Sequence, residues 1–379
     1  MNPLASSTQL AHIAFVDLQA GYRALAADGL ETLILDSLRR AQYIQSTSVQ
    51  SFEKHWADYC GTVEAVAVDS GTAALEIAMK GLGIGPGDEV IVPAHTFIAT
   101  AAAVALCGAR PVFVDADSEH WQMDIDRVKG AITPKTRAII AVHLFGQPVN
   151  LAALEEVCRD YDILLIEDAA QAQGARFHGK RVGSFGSVGC FSFYPAKNLG
   201  AFGDAGAITT DNADLAARMR RLCNHGRSSK YEHSEIGDNL RMDEIQGVVL
   251  DFELPYLDDW NQRRREIANL YRRQLCDLPL FCPEIMLGCQ PVYHLFPIGT
   301  AERDALLQHL SARNIDCGIH YPLPLHLQPA FAALGYKPGD MPIAERVGRE
   351  ELSLPIGPFM TDAQVHRVCE AVHEFFGKV

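Results

Sequence analysis

Several absences narrow the reading before any motif is considered. The ten cysteines form no C-x-x-C pair and no zinc-like spacing. They stand singly in apolar runs, as at Cys107, Cys158 and Cys190, where cysteine acts as a small core residue. The 14 histidines show no H-x-x-x-H or H-E-x-x-H pattern on an expected helix, so a metal-dependent enzyme lacks a clustered ligand set. No stretch approaches the ~18 uninterrupted apolar residues of a membrane span, and the first residues lack a charged segment followed by an apolar block. Positive charge is also scarce. Lys plus Arg number 33 against 47 Asp plus Glu, a formal charge of −14, which argues against nucleic acid or an anionic membrane as partner. There is no internal repeat and no low-complexity segment. The expectation is a cytoplasmic protein with reduced thiols, bound to neither membrane nor nucleic acid.

What is present is an alternation of elements. With 379 residues, 48% of them hydrophobic, the chain can bury more than one core. Two domains, or one large α/β domain with an appendage, are expected. Residues 1–12 carry little pattern and read as a loose end. Helical spacing over 21–40 puts Leu25, Leu30, Leu33, Ile34 and Leu38 on one side, and a second helix over 51–59 ends at Gly61. Strands 63–68, 89–93, 111–115, 138–142 and 163–166 then alternate with helices that open at Ser70 and span 97–107 and 151–161. Strands apolar on both faces, interleaved with helices, predict a mostly parallel sheet covered by helices. Ligands of such sheets gather at the carboxyl ends of the strands, where His143, Asp168 and Lys197 fall.

Beyond helix 213–222 a polar, glycine-bearing segment runs through 224–239, a length that points to function or an interface. Helices 243–254 and 257–275 follow, separated by Pro255. Arg263, Arg264, Arg265, Arg272 and Arg273 read as the solvated side of the second, the connector to a C-terminal domain. That domain has strand 292–299, helix 303–313 and the turn-rich Gly318-Ile319-His320-Tyr321-Pro322. The expected division is 1–255 and 256–379.

Chemistry enters at Cys190-Phe191-Ser192-Phe193-Tyr194-Pro195-Ala196-Lys197, an apolar run that ends at a proline and reaches a lysine. Desolvation beside a buried strand lowers a lysine's pKa and makes its amine nucleophilic. Taken alone, the same residue reads more readily as a surface lysine reaching water. Asp69-Ser70-Gly71-Thr72 opens a helix after a strand, which suits either an anion site or a plain N-cap. Asp168 ends a buried strand and needs a cation or donors. Phe97 stands where it can stack on a ring. Each has a structural alternative: Asp168 as a helix cap, Phe97 as core, Ser192 as an ordinary strand residue. Jointly, a phosphate cradle, an acid that keeps a pyridine nitrogen protonated and a buried lysine for a Schiff base are what pyridoxal 5'-phosphate requires.

The motifs Ser70-Gly71-Thr72-Ala73-Ala74-Leu75, Thr96-Phe97-Ile98-Ala99-Thr100 and Ile166-Glu167-Asp168-Ala169-Ala170-Gln171, with Phe191-to-Lys197 and Gly237-Asp238-Asn239-Leu240-Arg241-Met242, resemble one family. It is the DegT/DnrJ/EryC1/StrS family of sugar aminotransferases. The likeness extends from Phe15-Val16-Asp17-Leu18 to Leu352-Ser353-Leu354-Pro355. It implies the aspartate aminotransferase fold (PLP fold type I): a large domain with a mostly parallel central sheet plus a smaller C-terminal α/β domain. By this resemblance Lys197 would form the internal aldimine and Asp168 would pair with the pyridinium nitrogen. Gln171 would bond the ring oxygen, Phe97 would stack, and Gly71, Thr72 and Ser192 would hold the phosphate. Asn239 would reach the phosphate in the neighbouring subunit of a homodimer with shared active sites.

Tyr194-to-Gly200, Gly318-to-Pro322, Ser229-Lys230-Tyr231-Glu232-His233 and His326-Leu327-Gln328 look like the branch that aminates the 3-keto position of dTDP-6-deoxyhexoses, with L-glutamate as donor. That work belongs to deoxyamino sugar biosynthesis, lipopolysaccharide O-antigen included. Tyr194, His320, Tyr321 and, from the partner subunit, Lys230 would then contact the sugar nucleotide. The alternatives are a 4-keto nucleotide sugar, a keto sugar acid such as an octulosonate, and a non-catalytic regulator on the same fold. The chain departs from the family pattern at Gln173, where histidine is usual, and over 45–50, where a glycine-bearing turn is usual.

Overall fold

The computed structural model describes residues 11–377; most of the expected loose end, 1–10, lies outside them. Seven strands build the central sheet: β1 (Glu64–Val68), β2 (Glu89–Pro93), β3 (Arg110–Val114), β4 (Thr136–Val142), β5 (Leu164–Asp168), β6 (Val188–Ser192) and β7 (Gly206–Thr210). Their spatial order is β1-β7-β6-β5-β4-β2-β3. All run parallel except β7, which pairs antiparallel with both β1 and β6. The sheet is therefore mostly parallel, and both of its faces are covered. Alternate residues of β4 go to opposite cores: Ala138, Ile140 and Val142 to one, Ile139 and Ala141 to the other. This period-2 alternation turns a continuous apolar run into a strand buried on two sides.

The last strands before the lysine show how the pattern aims side chains. Phe191 and Phe193 point to one face, where Trp56 of the helix Thr47–Cys60 meets them edge-on with ring centroids 4.9 and 5.1 Å away. Burying each phenyl ring contributes about 1.5–3 kcal/mol, which locks the register of β6. Ser192 must then point to the other face, toward the helix Gly71–Gly81.

A second, two-stranded sheet joins β8 (Phe296–Gly299) to β9 (Glu351–Leu354) in antiparallel register. Its core collects Ile267, Ala268 and Tyr271 of the helix Leu257–Gln274 and Val365, Val368 and Val372 of the helix Asp362–Phe375. Ile13 joins this core, while Leu325, Phe331, Ala344 and Val347 pack on the large sheet's core. Asp115, just past β3, caps the helix Pro342–Glu350 by accepting from the Ile343 and Ala344 amides at 3.0 and 2.8 Å. No helix of the described residues is long and apolar enough to cross a membrane.

Three expectations are corrected. The helix over 21–40 is two, Leu18–Ala27 and Leu30–Arg39, because Gly29 takes a left-handed conformation with φ 103°. Only Leu25 and Leu30 of its expected apolar side are buried; Leu33 and Leu38 are exposed. The strand over 292–299 shortens to Phe296–Gly299, since Tyr293 has a positive φ of 45° that no strand tolerates. Arg264 is not on a solvated face. It is 3% exposed and its Nη1 donates to the carbonyls of Tyr293, His294 and Ile356.

Candidate active site

The site forms where the carboxyl ends of β5 and β6 meet the first turn of the helix Gly71–Gly81. Ser70 caps that helix: its hydroxyl accepts from the Ala73 amide at 3.1 Å, and its carbonyl accepts from the Ala74 amide. The amides of Gly71 and Thr72, first in the helix, have no acceptor within it and face outward with the positive end of the helix dipole. Gly71 lies so close to β6 that a Cβ there would sit 2.6 Å from the Ser192 Cβ. Glycine is required, and it brings the Ser192 hydroxyl beside the helix N-terminus. This is a cradle for a phosphate.

Asp168 ends β5 on the same face, 6% exposed. Thr100 donates to its Oδ2 at 2.8 Å and the Ala170 amide to its Oδ1 at 3.2 Å. Burial raises its pKa against these donors and the charge of Lys197. Burial also pushes the Lys197 ammonium down to about 8, opposed by Asp168. A fraction of the amine is therefore neutral near physiological pH. On the opposite face, Glu167 is pushed up by burial but held below its ordinary range by His143 and the Gly183 and Gly186 amides. The Val149 amide donates to Nδ1 of His143 at 3.3 Å, so its Nε2–H donates to Glu167 at 3.1 Å. His143 thus serves the sheet interior rather than the cleft.

Lys197, Asn198 and Pro195 line a cavity of about 810 Å³, closed by Phe15, Asp17 and Tyr22 near the N-terminal side and by Glu253, Arg264 and Phe359. Of the expected site residues Lys197 reaches this cavity, whereas Asp168, Gln171, Phe97 and Ser192 do not line it. Gln171 is buried, its Oε1 accepting from the Phe145 amide at 2.6 Å and its Nε2 donating to the Tyr321 hydroxyl at 3.2 Å. Phe97 is 52% exposed and its ring lies 5.5 Å from that of Tyr321. His320 stacks on Phe15 at 5.5 Å. Tyr194 is 55% exposed, beside Ser192, whose Oγ accepts the Tyr194 amide at 3.4 Å.

Two expected residues stand apart from this cluster within the chain. Lys230 is exposed, its Nζ 5.3 Å over the Tyr231 ring, and Asn239 is exposed beside Asn224. Gln173 is fully buried, its Nε2 donating to the carbonyls of Ser192 at 2.5 Å and Ala170 at 3.3 Å. The sequence does not single out Thr100, which lies in the first turn of the helix Ala99–Leu106 with its hydroxyl 3.2 Å from that of Thr96. Nor does it single out Glu351 and Ser353, which hold His320.

The DegT/DnrJ/EryC1/StrS aminotransferase family matches residues 28–373. The chain is 46% identical over 379 residues to the dTDP-3-amino-3,4,6-trideoxy-alpha-D-glucose transaminase of Streptomyces venezuelae, covering 99% of each. It superposes on the crystal structure of S. venezuelae DesV in complex with a ketimine intermediate with a TM-score of 0.95 and 46% identity, over 97% of this chain and 99% of that one. NtdA from Bacillus subtilis, with bound cofactor PMP, aligns with a TM-score of 0.88 and 28% identity, over 97% of this chain and 86% of that one.

Proposed function

The chain belongs to the DegT/DnrJ/EryC1/StrS aminotransferase family, and within it we propose that this protein moves an amino group from L-glutamate to the 3-keto position of a dTDP-6-deoxyhexose. It is an aminotransferase dependent on pyridoxal 5'-phosphate. The donor set fits that group: a helix N-terminus and a hydroxyl for a phosphate, a buried acid, and an amine partly neutral through burial. The mutual electrostatic influence of buried Lys197 and buried Asp168, at the strand ends beside the Gly71–Ser192 cradle, carries the reading.

In this proposal Gly71, Thr72 and Ser192 hold the phosphate, Asp168 the ring nitrogen, Gln171 the ring oxygen and Phe97 the ring face. Lys197 holds the cofactor's aldehyde carbon. When bound, the cofactor supplies an electron sink and a carrier for the amino group. Lys197 Nζ would take the proton from the α-carbon of L-glutamate as general base and deliver it as general acid to the cofactor's C4′ carbon. Burial prepares it for both, because a pKa of about 8 suits either direction near neutral pH. Thr100 keeps the Asp168 carboxyl oriented. Tyr194, His320, Tyr321 and, from the partner subunit, Lys230 contact the sugar nucleotide, and Asn239 reaches the neighbouring subunit's phosphate.

A homodimer belongs to the same proposal. Leu33, Leu35, Leu38, Tyr43 and Ile44 are exposed on and after the helix Leu30–Arg39, and Ile236 is 96% exposed in the loop that carries Lys230. Apolar surface of that extent supports a covering partner. The division at 255/256 is kept in this reading, with the core around Tyr271 and Phe296 belonging to the smaller unit.

The test is turnover of purified protein with L-glutamate and either a 3-keto or a 4-keto dTDP-6-deoxyhexose. Amination of the 3-keto sugar is expected. Preference for the 4-keto sugar, or turnover of neither, overturns the substrate assignment.

A further inference from the structure

Strand β9 brings two polar side chains against His320. Glu351 and Ser353 are two residues apart, so both project from one side of the strand. The segment Gly318–His320 runs along that side: the amides of Gly318 and Ser353 exchange bonds with each other's carbonyls at 3.1 and 2.8 Å. The His320 amide then donates to Glu351 Oε2 at 2.6 Å. Ser353 Oγ lies 2.5 Å from Glu351 Oε1 and 2.9 Å from His320 Nδ1. The result is an unbroken chain from carboxyl to hydroxyl to imidazole. Gly318 is required here as well, since a Cβ would sit 2.5 Å from His320 Cε1.

We infer that Ser353 and Glu351 are positioning residues that set the tautomer of His320, and so decide whether its Nε2 meets the sugar nucleotide as hydrogen-bond acceptor or donor. The hydroxyl of Ser353 has one proton to give. When Glu351 is ionised it only accepts, so Ser353 donates to Oε1 and its lone pair takes Nδ1–H. Nε2 is then an acceptor. When Oε1 carries a proton the chain reverses: Glu351 donates to Ser353, Ser353 donates to Nδ1, and Nε2 carries the hydrogen. In passing from the first state to the second, Nε2 takes a proton from solvent, the Nδ1 hydrogen passes to Ser353 Oγ and the Ser353 hydroxyl hydrogen passes to Glu351 Oε1, so the three groups gain one proton in all.

The ring has to choose between these states because it is neutral. Burial and the charge of Lys197 hold His320 down to about 4. His95 and His294 also lie within its electrostatic reach, and the His95 Nε2–H donates to the His320 carbonyl at 3.0 Å. Around Glu351, burial raises the carboxyl to about 8, opposed by the His320 amide, Ser353 and Arg303, with Cys317 and Tyr321 also in range. Both states of the chain are therefore within reach of ordinary buffers.

The experiment is nitrogen NMR of the holoenzyme labelled in histidine, with the His320 signals identified by their loss in His320→Gln. In the unaltered protein the proton should move from Nε2 to Nδ1 as pH rises through the ionisation of Glu351. Glu351→Gln turns an acceptor into an amide that donates to Ser353, so Nε2–H should persist at every pH. Ser353→Thr keeps the hydroxyl and should behave as the unaltered protein, whereas Ser353→Ala should lose the pH response. A tautomer indifferent to Glu351→Gln and Ser353→Ala overturns the inference. The catalytic consequence rests on the proposed contact between His320 and the sugar nucleotide. If that contact holds, Glu351→Gln changes the KM for the keto sugar by roughly tenfold above pH ~8, where Glu351 of the unaltered protein is ionised, and leaves it alone at lower pH and the glutamate half-reaction unchanged throughout. A tautomer that follows Glu351 with no change in that KM retains the chain and overturns its role toward the sugar.

Discussion

Lys197, Asp168 and Ser192 stand at or just past the ends of two neighbouring strands of the central sheet, whereas His320, Tyr321 and Lys230 come from turns and a surface loop. The first group is placed by the core. Phe191 and Phe193 bury on one face and leave Ser192 no choice but the other, and the extended β5 carries Asp168 to the same side. The second group is placed by single contacts: Glu351 and Ser353 on His320, Gln171 on Tyr321. Strand-end residues inherit the rigidity of a packed sheet. Turn residues depend on whichever partner reaches them, which is what the proposed sugar contacts would draw on.

The contrast can be broken at the cofactor side first. Lys197→Ala should lower turnover by roughly 10⁴-fold and abolish the cofactor's lysine-bound absorption band, with unchanged circular dichroism. Persistence of that band would sink the assignment of Lys197. Asp168→Asn, nearly equal in shape, should cost about 10²-fold in kcat with little change in the KM for the sugar. Below pH 8, capture of pyridoxal 5'-phosphate by the cofactor-free protein should slow about tenfold per pH unit as the Lys197 amine gains its proton, and it should level off above that pH. Stopped-flow absorbance would read this, and a rate that still climbs tenfold per unit above pH ~9 contradicts a depressed lysine. Gly71→Ala forces a methyl group onto Ser192 and should weaken cofactor affinity roughly tenfold in a titration. The smallest effect belongs to the sugar side. Tyr194→Phe should raise the KM for the keto sugar about fivefold and leave the glutamate half-reaction and the melting temperature alone. If it disturbs the glutamate step as much as the sugar step, the two sides are not separable.

Legibility followed the same contrast. The strand Glu89–Pro93 and the helices Leu151–Tyr161 and Ala213–Leu222 coincide with what periodicity predicts, because each buries one repeating set of apolar residues. Lys197, Asp168 and the Ser70–Thr72 turn were legible for a related reason: strand ends in such sheets are where ligands gather. Arg264 stands among arginines that suggest a solvated face, yet it lies on the buried stripe of Leu257, Asn261, Arg264, Ala268 and Tyr271. Helical spacing, not charge, decides its place. The split at Gly29 and the turn at Tyr293 depend on single backbone conformations that no apolar pattern records. Thr100 and Ser353 had no signal of their own, since a hydroxyl acquires a role only from what faces it.

By itself the sequence determined an α/β chain with a mostly parallel sheet, a strand that ends in an acid and another followed by a lysine, and, through its motifs, the family. Those features are local, and alternating burial along a strand is sufficient to specify them. Tertiary structure alone decided that Thr100 meets Asp168, that Gly71 touches Ser192, and that Glu351 and Ser353 close on His320 across more than thirty residues. Each of these is a contact between elements distant in the chain, and only the packed cores bring their surfaces together.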